Sequence, residues 1–155
     1  MNWIEYISQL TYHDKTLQYG FNSVVPYFLL QEFQTELGLR EMPNELMELY
    51  RESDGVNEIL DNQKIGELIW TADRVIKTNN EFRNNGEFKK LYMSFEQLLF
   101  ISDAGNGDLF GFVTIDGRFD RNDIFVWNHE DDSRTWVAPN LAKFIEWWTN
   151  GKIKV

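Results

Sequence analysis

The hydrophobic pattern of this 155-residue chain changes its dominant period near Leu98, and this change limits the folds open to it. Before that point, apolar residues mostly recur at spacings of three and four, which is typical of amphipathic helices. After it, short apolar or alternating runs are separated by turn-forming residues, which is typical of strands joined by hairpins. Helices followed by a mostly antiparallel or mixed sheet predict an α+β domain.

Four helices and one short strand are predicted in the first part. In chain order they are Trp3–Leu10, Tyr27–Leu37, a helix that opens at Pro43 and stops at Asp54-Gly55, the strand Ile65–Trp70, and a helix from Thr71 to Phe82. The helix after Pro43 has an apolar stripe that includes Leu46 and Leu49. Glu45, Glu48 and Glu52 recur on its opposite side, which predicts a solvated acidic stripe.

The second part predicts a meander and a covering helix. Its strands are Leu98–Ile101, Leu109–Ile115, Ile124–Trp127 and Arg134–Val137, with Asn106-Gly107 as the hairpin turn between the first two. Pro139 starts the last helix, which should cover the sheet and direct Trp148 toward the core. Trp147 should cover the flank, and it becomes a candidate interface anchor if it is exposed. Because no linker or repeat interrupts the pattern, we predict one domain over residues 1–155.

Charge excludes several classes of function. The chain has 25 acidic and 15 basic residues, a net charge of −10, so nucleic acid and anionic membranes should repel it. It has no cysteine, which excludes disulfides, thiolate nucleophiles and cysteine-type zinc sites. The first residues lack a basic segment followed by an apolar run, so we expect a cytoplasmic protein. We also expect no metal and no cofactor.

The acidic excess lies in two regions. Residues 1–60 hold 10 acids and 3 bases, and residues 101–138 hold 8 and 3, whereas residues 61–100 are neutral and residues 139–155 carry +2. The second region coincides with the predicted turns of the sheet. Blocks of one sign are often interaction surfaces, so both regions are candidates.

Two segments invite a catalytic or metal-binding interpretation, and both depart from the known patterns. The loop Asp103–Asp108 has an acid where a calcium loop needs glycine, and a strand follows it, so no helix points at an anion. A plain hairpin is the better interpretation.

His129 stands beside carboxylates but lacks a second histidine four residues on, and nothing marks a nucleophile. We therefore predict no catalytic residues; an enzyme that uses His129 with a carboxylate is the least favoured alternative.

The order of these segments resembles the SUKH superfamily, which takes its name from a yeast cell-wall-synthesis regulator and bacterial relatives. The resemblance covers residues 25–149. Its signatures are Met42-Pro43 with Asp54-Gly55, the strand ending at Trp70, the hairpin Phe100–Phe112, the run Val126–Glu130, and the closing helix Leu141–Trp148. Met42 replaces the usual leucine, and Asn128 stands where aspartate is common.

The resemblance implies a binding protein, because the bacterial members are similar to immunity proteins encoded beside secreted polymorphic toxins, often nucleases. A nuclease needs a basic cleft, and an acidic partner can cover it by imitating the charge of the substrate. The expected partner is therefore a basic toxin domain encoded by the adjacent gene. The predicted contact residues are Asp116, Asp120, Asp123, Trp127, His129, Glu130, Asp131 and Asp132, with Glu45, Glu48 and Glu52 in reserve.

A different class of function stays open, namely a regulatory adaptor of the cell-wall-regulator type that has no toxin partner. The gene neighbourhood separates the two. A long toxin gene beside this one favours immunity, and its absence favours the adaptor.

Overall fold

The computed structural model describes residues 1–10 and 17–155 and confirms the α+β class. The helices are α1 (Trp3–Ser8), α2 (Tyr27–Glu36), α3 (Asn44–Tyr50), α4 (Ala72–Asn84), α5 (Gly86–Leu91) and α6 (Leu141–Thr149). The strands are β1 (Gln18–Phe21), β2 (Val56–Leu60), β3 (Gln63–Ile69), β4 (Leu98–Asp103), β5 (Leu109–Val113), β6 (Ile124–Trp127) and β7 (Arg134–Ala138). They form two antiparallel sheets, in the orders β1-β2-β3 and β4-β5-β6-β7.

The sequence pattern missed the first two strands of the smaller sheet. Its side chains are mostly half-buried, so β1 and β2 show no clean alternation of apolar and polar residues. The turn between β2 and β3 is Asp61-Asn62, and both residues have positive φ (52° and 63°). Aspartate and asparagine tolerate this conformation, which a two-residue hairpin turn requires.

The pattern also missed α5, because a helix break was expected after Phe82. Asn85 ends α4 and begins α5, where its side chain accepts the backbone N–H groups of Glu87 and Phe88. The predicted break is therefore a junction between two helices. Pro43, expected inside α3, instead precedes its first residue as the N-cap.

The two sheets meet where the end of β3 and the following Trp70 bond to residues of β4. The Trp70 N–H donates to the Ile101 carbonyl (2.9 Å), and the Ser102 hydroxyl donates to the Leu68 carbonyl (2.6 Å). From α3, the Tyr50 hydroxyl donates to the Trp70 carbonyl (2.8 Å). The first two bonds fix the end of β3 against the larger sheet, and the third ties α3 to the same point.

The larger sheet has helices on both faces. On one face, Phe82 of α4, Phe88 of α5 and Phe95 of the following loop pack with Phe100 of β4 and Trp127 of β6. On the other face, Phe110 contacts Phe144 and Trp148 of α6, with ring centroids 4.7 and 5.1 Å apart. The predicted covering helix is confirmed, and large apolar side chains fill both interfaces.

The acidic residues of α3 do not form the solvated stripe that their spacing predicted. Glu45 accepts the Leu141 and Ala142 N–H groups at the start of α6, at 3.1 and 3.3 Å. Glu52, just after α3, accepts the Trp3 and Ile4 N–H groups at the start of α1, at 2.8 and 3.1 Å. Glu48 alone of the three is exposed. The prediction was wrong for Glu45 and Glu52 because the unpaired N–H groups of a helix N-terminus bind carboxylates.

Candidate partner-binding surface

The structure separates the predicted contact residues into two groups at opposite ends of β6. Residues 116–123 precede this four-residue strand and residues 128–132 follow it. The antiparallel register pairs Leu109 with Trp127 and Phe112 with Ile124. The second group follows Trp127, so it lies beside the Asp103–Asp108 hairpin, which precedes Leu109. The first group lies at the other end of the pairing, near Phe112. The predicted residues therefore do not form one surface.

The turn before β6 is docked on the loop between α2 and α3. The Gly117 carbonyl accepts the N–H groups of Arg40 (2.8 Å) and Glu41 (3.2 Å). Glu41 in return accepts the Phe119 N–H through its carboxylate. Gly117 has φ +73°, and a Cβ there would lie 2.7 Å from the Gly38 carbonyl, so only glycine fits this close approach. The docking brings acidic residues from both acidic regions of the chain together.

The three aspartates of this turn have different surroundings. Asp116 pairs with Arg40 (3.4 Å), and both side chains are more than half exposed. Asp123 is 8% exposed and forms an ion pair with Arg121, with Nε and Oδ2 2.5 Å apart, so it is not available to a partner and its predicted contact role is corrected. Asp120 is exposed and has no ion pair among the residues that the structure describes. Asp116 and Asp120 are thus the exposed acids of the turn, and Asp120 is the one without an ion pair there.

A groove of about 480 Å³ runs between α2, α3 and this turn, and we call it the α2–α3 groove. Its lining residues are Tyr27, Leu30, Gln31, Gln34, Glu41, Met42, Asn44, Met47, Glu48, Arg51, Phe119 and Asn122. Tyr27 and its neighbour Phe28 are 75% and 68% exposed. Glu41 and Glu48 provide negative charge in the lining, and Arg51 is its one basic residue. The exposed Asp120 follows the lining residue Phe119 in the chain. Such a combination of exposed aromatic rings and rim charges is typical of interface surfaces.

Sequence reasoning missed Tyr27, Phe28 and Glu41 as candidates. The first two begin a helix whose predicted apolar stripe lies at other positions and includes Phe33, which the structure buries fully. A useful signal was present, because aromatic residues that lie outside the apolar stripe of a helix are candidates for exposure.

Two predicted contacts after β6 are structural. Trp127 is 3% exposed and donates its indole N–H to Asp132 (2.7 Å). Asp132 also accepts the Met93 N–H (2.9 Å) and Arg134 (3.1 Å). Burial by itself would raise the pKa of Asp132, but these hydrogen bonds outweigh it, so the pKa lies below its usual value. Their contact roles are corrected, since both side chains are engaged within the fold.

His129 is held by a buried carboxylate. Asp108, 4% exposed, lies 2.6 Å from the His129 Nδ1 and also accepts the His129 backbone N–H (3.1 Å). The ring packs on Gly107, where a Cβ would lie 2.9 Å from Nδ1. This pair joins the hairpin to the turn after β6. No group of three or more metal-ligating side chains occurs in the part of the chain that the structure describes.

Glu130 and Asp131 are the exposed acids of the second group. Asp131 accepts the Ser133 backbone N–H at 2.9 Å. Hydrogen bonds from the side chain and backbone of Ser133 lower the pKa of Asp131. Asp131 thus remains charged at neutral pH. Both exposed acids stay candidates for a partner contact.

Comparison with protein families gives a match over most of the chain. The family model described as SMI1-KNR4 cell-wall, of the SUKH type, matches residues 29–145, about three quarters of the sequence. The match begins within α2, after Tyr27 and Phe28, and includes α3 and the turn before β6, so it covers the lining of the α2–α3 groove except Tyr27. No curated protein matches the chain.

None of the helices over residues 1–10 and 17–155 has the length and hydropathy that a membrane span requires.

Proposed function

The chain belongs to the SMI1-KNR4 cell-wall family, and on this premise we propose that it is an immunity protein that binds and blocks a basic nuclease toxin. The proposal makes it a cytoplasmic, non-enzymatic binding protein. The observation that supports it best is the α2–α3 groove, where the exposed ring of Tyr27 lies with Glu41 and Glu48 in one lining.

The physical basis is complementary charge. A nuclease attracts phosphates with a positive cleft, and a partner with a net charge of −10 is drawn to the same cleft. Such steering raises association rates to on the order of 10⁸–10⁹ M⁻¹s⁻¹ at low salt. Tyr27 and Phe28 would then provide the apolar contacts that slow dissociation, because aromatic side chains carry much of the binding energy of interfaces.

The test is co-expression with the product of the adjacent gene, followed by pull-down and a nuclease assay at several salt concentrations. We expect a complex that forms, that inhibits the nuclease, and whose association slows as salt rises. A toxin that stays active in the presence of an equimolar amount of this protein would contradict the proposal.

The groove itself is tested by two substitutions and a matched control. Asp120→Lys should slow association by roughly tenfold at low salt, because it reverses a rim charge. Tyr27→Ala should mainly speed dissociation. Glu81→Lys makes the same change of charge at an exposed position on α4 and should have a small effect. Equal effects of Asp120→Lys and Glu81→Lys would place the contact outside the groove.

A further inference from the structure

The tip of the hairpin between β4 and β5 contains one of the three Asn-Gly pairs of the chain. The register pairs Asp103 with Leu109, so residues 104–108 form the loop. Asn106 and Gly107 are both exposed there. Gly107 has φ +106° and no side chain, so nothing on this residue keeps the Asn106 carboxamide away from the Gly107 nitrogen.

The hydrogen bonds of this loop leave the Gly107 nitrogen free. The N–H groups of Ala104, Gly105 and Asp108 all donate within the loop. The N–H group of Gly107 makes no hydrogen bond in the part of the chain that the structure describes. The acceptor for Asp108 is the Asn106 Oδ1 (2.9 Å), so this bond polarises the carboxamide and stabilises negative charge that develops on Oδ1. A polarised carbonyl carbon thus stands beside a free backbone nitrogen.

We propose that Asn106 is a site of spontaneous deamidation, at which the folded protein converts asparagine to aspartate and isoaspartate. The Gly107 nitrogen attacks the Asn106 Cγ and gives its proton to water. The bond from Cγ to Nδ2 then breaks, and the amino group takes up a proton and leaves as ammonia. Water opens the resulting five-membered imide: attack at Cγ gives aspartate, and attack at the backbone carbonyl carbon gives isoaspartate.

The other two Asn-Gly pairs lie at helix ends that hold the glycine nitrogen in place. The Gly151 N–H donates to the Trp148 carbonyl at the end of α6 (3.3 Å), and Asn150 is the C-cap of this helix. Gly86 is the first residue of α5, and the Asn85 carboxamide caps that helix by accepting two backbone N–H groups. At both sites the helix end must open before the nitrogen can attack, so the reaction should be slower there.

The reaction changes a loop that supports the turn after β6. Isoaspartate adds one carbon to the backbone of the loop, and either product adds one negative charge to the net charge of −10. Asp108 binds His129, and the His129 ring packs on Gly107. A longer backbone should therefore loosen the contact of the loop with the turn that carries the exposed acids Glu130 and Asp131. The proposal does not depend on a toxin partner, so it can fail or succeed independently of the proposed function.

The test is incubation of the full chain in mildly alkaline buffer, followed by peptide mapping with mass spectrometry at all three Asn-Gly pairs. Asn85 and Asn150 are matched controls within the same molecule. In the folded protein we expect Asn106 to react at least roughly tenfold faster than either of them. In the urea-unfolded chain the three rates should agree within about threefold, because the helix ends no longer protect their nitrogens. Equal rates in the folded protein, or a faster reaction at Asn85 or Asn150, would overturn the proposal.

The effect on the loop is tested with the products themselves. Anion exchange separates the more acidic products from the original chain, and Asn106→Asp is the matched control because it has the same added charge without the longer backbone. The isoaspartate form should unfold at a urea concentration lower by about 0.5 M or more, whereas Asn106→Asp should stay within about 0.2 M of the original midpoint. Equal midpoints for the isoaspartate form and Asn106→Asp would contradict the support that the loop gives to the turn after β6.

Discussion

Glu52 offers a direct test of the claim that α3 provides carboxylates to the helices around it. Its two oxygens accept the first two N–H groups of α1, at 2.8 and 3.1 Å. The helix has six residues and is held by buried Trp3 and Ile7, so it has little stability of its own. Glu52→Ala removes the acceptor and leaves the Trp3 and Ile4 N–H groups without the carboxylate that binds them.

The expected loss follows from these contacts. A hydrogen bond to a charged group contributes about 1.5–3 kcal/mol, and two would give about 3–6 kcal/mol. Glu52 is partly exposed, so water can replace part of each bond, and we expect the free energy of unfolding to fall by about 2–3 kcal/mol. With a urea m-value of about 2 kcal/mol/M, the midpoint should move down by about 1–1.5 M.

The assay is urea unfolding followed by tryptophan fluorescence and far-ultraviolet circular dichroism. Glu48→Ala is the matched control, in α3 and four residues before Glu52: Glu48 is exposed and its contact to Trp3 is long, 3.4 Å from the indole nitrogen, so its loss should cost less than about 0.5 kcal/mol. Equal midpoints for Glu52→Ala and Glu48→Ala would refute the capping role.

Three further substitutions test other parts of the structure. Asp132 has a lowered pKa in the fold, so its carboxylate stabilises the protein above about pH 4, and this stabilisation is lost as the pH falls through the folded pKa. Asp132→Asn should therefore lower the free energy of unfolding at pH 7 and make its decline in acid less steep. Urea midpoints measured across pH test both expectations. Gly117→Ala should lower the free energy of unfolding in urea by roughly 1–3 kcal/mol, because φ is +73° and the new Cβ meets the Gly38 carbonyl. An unchanged midpoint would contradict the close approach of this turn to the loop between α2 and α3. Asn79→Ala should cost about 2–4 kcal/mol, since buried Asn79 bonds both the N–H and the carbonyl of Phe100, and a loss below about 1 kcal/mol would contradict this.

The elements that the sequence predicted well are those whose signal is local. The closing helix α6 has apolar residues at helical spacing, and the hairpin at Asn106-Gly107 has its turn residues in place, so both follow from neighbours along the chain. The strands β1 and β2 escaped prediction because their sheet is mostly half-buried, and a strand of that kind is defined by its hydrogen bonds to other strands.

The candidate site shows the same division. Sequence reasoning correctly placed acidic residues in the turns around β6, and Asp120, Glu130 and Asp131 are exposed there. It could not tell them from Asp123 and Asp132, since an aspartate in a turn looks the same whether it faces water or an internal donor.

By itself, then, the sequence determined the order and types of most elements, the net charge of −10 and the regions where the acids concentrate. The tertiary structure decided which acids are free to meet a partner. The donors that engage Glu45 and Glu52 are backbone N–H groups 96–97 and 48–49 residues away in the chain. No local pattern records such distances, because a carboxylate takes its partner from whichever helix end packing brings beside it.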